Sequence, residues 1–143
     1  MLRQNIFLLL FILAGLSSSG CNEHPELVPV SGTVTIDGKP VPIGQVKIST
    51  PGHRAAVGSI DKNGKFALTS YKLNDGAPIG THRVTVTAVE QLTETSNRWH
   101  APIEYANQVA TDLEVTIDGP TDSLNIELTW EGSDHDGPYI DRF

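Results

Sequence analysis

Val30-Ser31-Gly32-Thr33-Val34-Thr35-Ile36-Asp37-Gly38 alternates without a break: Val30, Gly32, Val34 and Ile36 share one face, and Ser31, Thr33 and Thr35 the other. A period of two is that of a strand with one buried face. The closing Asp37-Gly38 pair accepts the positive φ angles of a tight hairpin turn. Val46 and Ile48, alternating with Gln45, Lys47 and Ser49, then read as the returning antiparallel strand. Pro40 and Pro42 cannot donate to a ladder, so that return begins at an edge or a bulge.

The same period recurs downstream. Ala55 to Ile60 reads as a weaker strand, and Asp61-Lys62-Asn63-Gly64 as a turn leading into Phe66 and Leu68. Asn74-Asp75-Gly76-Ala77-Pro78 breaks the chain before a strand from Thr81 to about Val89, with His82, Val84, Val86 and Ala88 on its apolar side. Residues 91–110 lose the period and are too long for a hairpin loop, so part of them must form structure of its own; Pro102 opens a helical turn through Tyr105. Leu113, Val115 and Ile117, then Leu124, Ile126, Leu128 and Trp130, restore the strongest alternation in the chain, around a turn at Asp118-Gly119-Pro120. The six aliphatics among them are expected to line the buried face of one sheet. The polar residues 131–143 have no period and are expected to form a flexible tail. About seven short strands with frequent turn signals predict an all-β antiparallel β-sandwich over residues 30–130, with an open barrel as the structural alternative.

With the strands in place, residues 28 to 41, Val-Pro-Val-Ser-Gly-Thr-Val-Thr-Ile-Asp-Gly-Lys-Pro-Val, resemble the opening of carboxypeptidase-regulatory-like domains, especially those of short bacterial lipoproteins. The Asp61-Lys62-Asn63-Gly64-Lys65-Phe66 turn, the Asp75-Gly76-Ala77-Pro78-Ile79-Gly80 segment and Pro102-Ile103-Glu104-Tyr105 before Thr111-Asp112-Leu113 extend the likeness to about residues 28 to 128. The resemblance implies a prealbumin-like, transthyretin-like sandwich. It implies no catalytic residue, since the regulatory domain is an accessory module in the peptidases that name it. The lengthened 91–101 segment and the tail after Trp130 depart from that pattern.

Ahead of the domain, Arg3, an eleven-residue apolar run from Ile6 to Leu16, and Ser18-Ser19-Gly20 lead to Cys21, the chain's one cysteine. The run fits the roughly 7 to 15 residues of a secretory h-region and falls short of the ~20 that span a bilayer. Residues 1–20 therefore read as a lipoprotein signal peptide, Cys21 as the lipidation site, and 21–29 as a tether. Ser18 stands where the lipobox pattern usually has a large aliphatic residue. Removal of the signal leaves 123 of 143 residues, one domain without an intrachain disulfide. A formal charge of −7, one unit more negative after Arg3 is lost, argues against nucleic acid as a partner. The partners expected are the lipid bilayer, through acylated Cys21, and an envelope protein or glycan, at the periplasmic or outer-membrane surface.

Chemistry-bearing motifs are sparse. The ligand spacings of a zinc peptidase, His-x-x-Glu or His-Glu-x-x-His, do not occur, and His100 to Glu104 is one residue too long. Asp61, Asn63 and Gly64 make a turn rather than a calcium loop, which needs more oxygen ligands and a terminal bidentate Glu. Asp134-His135-Asp136 reads as solvated charge, His24 and His53 as loop residues and His82 as a packed histidine. No cofactor, metal site or catalytic set is implied. Arg98, Trp99 and Tyr105, clustered in the long 91–110 break, are the candidate recognition residues, with a core-capping role as the alternative for Trp99. The functional expectation is a non-catalytic binding or structural module on a membrane-anchored lipoprotein. A small transthyretin-fold enzyme or a metal-binding periplasmic protein is the alternative.

Overall fold

The computed structural model describes residues 25–143; the signal segment, His24 and the lipidation site at Cys21 lie outside the described residues. The chain runs through β1 (Leu27–Val28), β2 (Val30–Ile36), β3 (Lys39–Pro40), β4 (Gly44–Ser49), β5 (Ala56–Ile60), β6 (Lys65–Ala67) and β7 (Ala77–Pro78). It continues through β8 (Gly80–Thr87), β9 (Val89–Thr93), β10 (Ser96–Trp99), a 3₁₀ turn (Ile103–Ala106), β11 (Glu114–Ile117), β12 (Thr121–Leu128) and β13 (Tyr139–Arg142). Among the described residues there is no α-helix, and the fold is all-β.

Two four-stranded sheets share one core. In the first, β12 pairs with β2, whose other edge carries β3 and β6; in the second the order is β11-β8-β4-β5. Val34, Ile36, Phe66, Ile126 and Leu128 of the first and Val46, Ile48, Val84, Val86 and Ile117 of the second are buried in a single cluster, a sandwich-like arrangement. A double hydrogen bond between Val57 and Thr69 ties the sheets along one margin. β1 and β7 form a small pair, and β13-β10-β9 a third sheet.

The expected faces are the observed ones, but two expected pairings are not. Asp37 (φ 46) and Gly38 (φ 78) do make the two-residue turn, joining Ile36 to Lys39. The return, however, lasts only two residues. Pro40 ends it at the sheet edge, and the chain crosses over so that β4 lies in the other sheet. The Asp118-Gly119-Pro120 turn is likewise an arch between sheets and not a hairpin. β11 ends with Ile117 opposite Gly80 in one sheet, and β12 starts with Thr121 opposite Val30 in the other. Entering at the same end as β2, β12 runs parallel to it, so the sandwich is not wholly antiparallel. The six aliphatics expected on one sheet thus divide between two; Ile117, Ile126 and Leu128 are buried, and Leu113, Val115 and Leu124 half-buried. Alternation reports which way a side chain points and is blind to which strand lies alongside.

Gly32 is required by this parallel contact. A Cβ there would lie 1.9 Å from the Leu124 carbonyl oxygen, where the β2/β12 register shifts. Residues 139–142, expected within a flexible tail, form β13 against β10, because Tyr139 packs edge-on to buried Trp130 (centroids 6.3 Å apart) and stacks on His135 (3.6 Å).

Candidate binding cleft

The register gives the molecule two ends. The chain arrives at Val30, and both β2 and β12 run from there to Ile36 and Leu128. Beyond those residues lie the Asp37-Gly38 turn, the start of β4 at Gly44 (opposite Ile60 and next to Gln45, which faces Thr87), the β9–β10 hairpin that follows β8, the 3₁₀ turn and the segment from Thr129 onward.

At this end Thr129 is held from two sides. Its hydroxyl donates to Asp37 Oδ1 at 2.7 Å, and Trp130 N–H donates to Asp37 Oδ2 at 3.3 Å. On the other side the Tyr105 hydroxyl donates to the Thr129 carbonyl (3.4 Å) and accepts from the Thr129 N–H (3.3 Å). Tyr105 reaches this position from the 3₁₀ turn behind Pro102, which is closed by Tyr105 N–H to Pro102 C=O at 3.2 Å. The space left around these contacts is a cleft of about 310 Å³, lined by Glu104, Tyr105, Thr111, Asp112, Thr129, Glu131 and Ser133 among others. Its character is polar and acidic. Glu104 also faces Tyr139, whose phenol is held above its ordinary value by burial first and then by the carboxylates of Glu104 and Asp141.

The three candidate recognition residues are not brought onto one surface. Tyr105 lines the cleft. Arg98 and Trp99 are consecutive on β10 and so point to opposite faces of the third sheet. Arg98 Nη1 lies 3.4 Å from Glu90 Oε2, which also accepts from His100 Nε2 at 3.1 Å. His100 therefore pairs with Glu90 and not with Glu104. Trp99 is half-buried on the other face, opposite Val89 and Tyr139, with its Nε1 buried and without a hydrogen-bond partner among the described residues. The sequence does not mark Asp37, Glu104, Asp112, Thr129 or Glu131 as residues of a common site. They meet only after the chain has closed on itself, and no local motif marks them.

Elsewhere the polar residues organise loops. Asp61 accepts from the N–H groups of Lys65 and Asn63, which hold its carboxyl below the usual range. His82 is buried, its Nε2 donating to the Pro78 carbonyl at 2.8 Å and its Nδ1 3.2 Å from the Thr50 hydroxyl. Among the described residues no group of three or more His, Cys, Asp or Glu side chains is arranged to hold a metal ion, and no helix is long and apolar enough to cross a membrane. No protein-family model, curated protein or solved structure matches this chain.

Proposed function

We propose that this chain is a lipid-anchored envelope lipoprotein whose prealbumin-like, carboxypeptidase-regulatory-like sandwich is a non-catalytic binding module, with the cleft around Tyr105 and Thr129 as its binding site. The observation that carries this reading is the parallel pairing of β2 with β12. A chain tethered at Cys21 enters the sandwich at Val30, and the seven residues of β2, at about 3.3 Å each, separate that entry from the cleft by roughly 20 Å. The cleft then lies at the end of the strands remote from the anchor. Tyr105, Glu104 and Ser133 at its wall come from segments that add nothing to the two main sheets, as suits residues serving a ligand rather than the core.

The test is site-specific photocrosslinking in the native envelope, with the photoreactive residue at Ser133 on the cleft or at Gly119 at the other end. The expected outcome is a discrete adduct from Ser133 and none from Gly119. Equal labelling at both, or none at either, rejects the cleft as the binding site.

A further inference from the structure

The strand that leads into the cleft, β12, is the edge of its sheet. In a parallel ladder the N–H and C=O of one residue point to the same side, and those of the next residue to the other. The Leu128 carbonyl accepts from Asp37 N–H on the β2 side, which fixes the alternation: Leu124, Ile126 and Leu128 turn their backbone groups to β2, while Asn125, Glu127 and Thr129 turn theirs outward. Thr129 agrees with this assignment, because its outward N–H and C=O are the pair taken by the Tyr105 hydroxyl. The outward groups of Asn125 and Glu127 are covered by no strand among the described residues.

Edge strands are commonly blunted by Pro, by charged side chains, Lys above all, or by bulges. β12 has neither Pro nor Lys, and its one irregularity, between Thr121 and Leu124, lies before the open stretch. Its charges are all acidic. Asp122 and Glu127 are on the strand, Glu104, Asp112 and Glu131 line the cleft that it enters, and none of these five forms an ion pair among the described residues. The lysines of the sheet, Lys39 and Lys65, are on β3 and β6, beyond β2.

We infer that β12 is a docking edge for an extended basic segment of a partner protein, which adds as a further strand beside Asn125 and Glu127 and directs its cationic side chains to Glu127 and the cleft carboxylates. This rests on the cleft being the binding site and names the class of partner. Backbone hydrogen bonds supply the seat and charge supplies the selection. A second copy is a poorer occupant, because it brings another Asp122, another Glu127 and a second net charge of −7 to the same edge.

The probe is a blocked nine-residue peptide of alternating Lys and Thr, titrated against the full chain by fluorescence anisotropy. Two control peptides carry Glu in place of Lys, or N-methyl groups at alternate residues on the bonding edge. Saturable binding of the Lys peptide that weakens with ionic strength, absent for the Glu peptide and reduced roughly tenfold or more by N-methylation, is expected. Asn125→Pro removes an outward N–H that β2 does not use, so it should weaken binding similarly while the melting temperature holds. Equal binding of methylated and unmethylated peptides overturns strand addition, and needs no variant to fold. A dimer abolished by Asn125→Pro, without peptide binding, overturns the basic partner. If the Ser133 photoadduct forms in both wild type and Asn125→Pro and no peptide binds, strand addition fails while the cleft stands; loss of the Ser133 adduct in wild type removes the cleft itself.

Discussion

Single carboxylates do much of the fastening in this molecule. Burial works against the Asp75 charge, yet its carboxyl is held below the usual range because the N–H groups of Ser70, Lys72 and Tyr71 all donate to it, at 2.7, 2.7 and 2.9 Å. Its folded value lies below the unfolded one, so its stabilisation is complete above the ordinary value near 3.8 and is lost as pH falls through the folded value. Asp75→Asn is expected to lower the melting temperature at neutral pH and to flatten the acid side of a melting-temperature profile; an unchanged acid side would show that the loop contributes nothing there. Tyr139 works in the opposite sense. Its raised value favours the neutral phenol in the folded state, so its contribution is complete below the ordinary value near 10.0 and is lost as pH rises through the folded value. Tyr139→Phe should remove that alkaline loss, read from the same profile. Thr129 has become a fastening residue as well. An outward position on an exposed edge ordinarily tolerates Ala, but here Thr129→Ala deletes the hydroxyl that anchors Asp37.

At the scale of elements, the sequence made faces legible and neighbours illegible. Val30, Val34 and Ile36 on β2 and Ile126 and Leu128 on β12 point inward as their alternation requires, so the buried and exposed sides of nearly every strand could be read. The parallel β2/β12 ladder could not be, because its contacts join residues about 90 apart and depend on where the chain re-enters the sheet. The tail strand β13 was hidden for a related reason: Tyr139 is ordered by Trp130 and by β10, not by a local pattern. Of the candidate site, Tyr105 was visible as an aromatic in a long break, whereas Glu104, Asp112, Thr129 and Glu131 carried no signal until topology joined them. The parallel contact makes its own prediction. Gly32→Ala forces a Cβ onto the Leu124 carbonyl and is expected to cost about 1 to 3 kcal/mol by overpacking, more if the ladder separates. Ile126→Ala should cost roughly 2 to 5 kcal/mol through the cavity it leaves, and Glu127→Ala, on the exposed face, within about 0.5 kcal/mol. Chemical denaturation of the three variants checks the register; equal losses at 126 and 127 would contradict it.

For the whole molecule the decisive relation is that entry and cleft occupy opposite ends of one pair of strands. Everything that builds the cleft, from Asp37 to Ser133, lies within residues 25–143, downstream of the proposed acylation site. Anchoring and binding should therefore separate cleanly. Cys21→Ala is expected to abolish fatty-acid incorporation and, in whatever fraction is released from the signal segment, retention in the detergent phase, since stable attachment takes more than one acyl chain and the variant would carry none. The released or unprocessed protein should still melt as the wild type does and still bind the Lys-Thr peptide with unchanged affinity, because the cleft is built from residues far from the tether in the fold. Detergent partition and anisotropy on the same preparation read both quantities. Fatty-acid label on the variant at the wild-type level would remove lipidation at Cys21, whereas detergent retention without label marks the unprocessed chain, which keeps the apolar run from Ile6 to Leu16. Loss of peptide binding together with loss of anchoring would mean that the two ends are coupled through the packed core that joins them, from Val30 to Ile36 and Leu128.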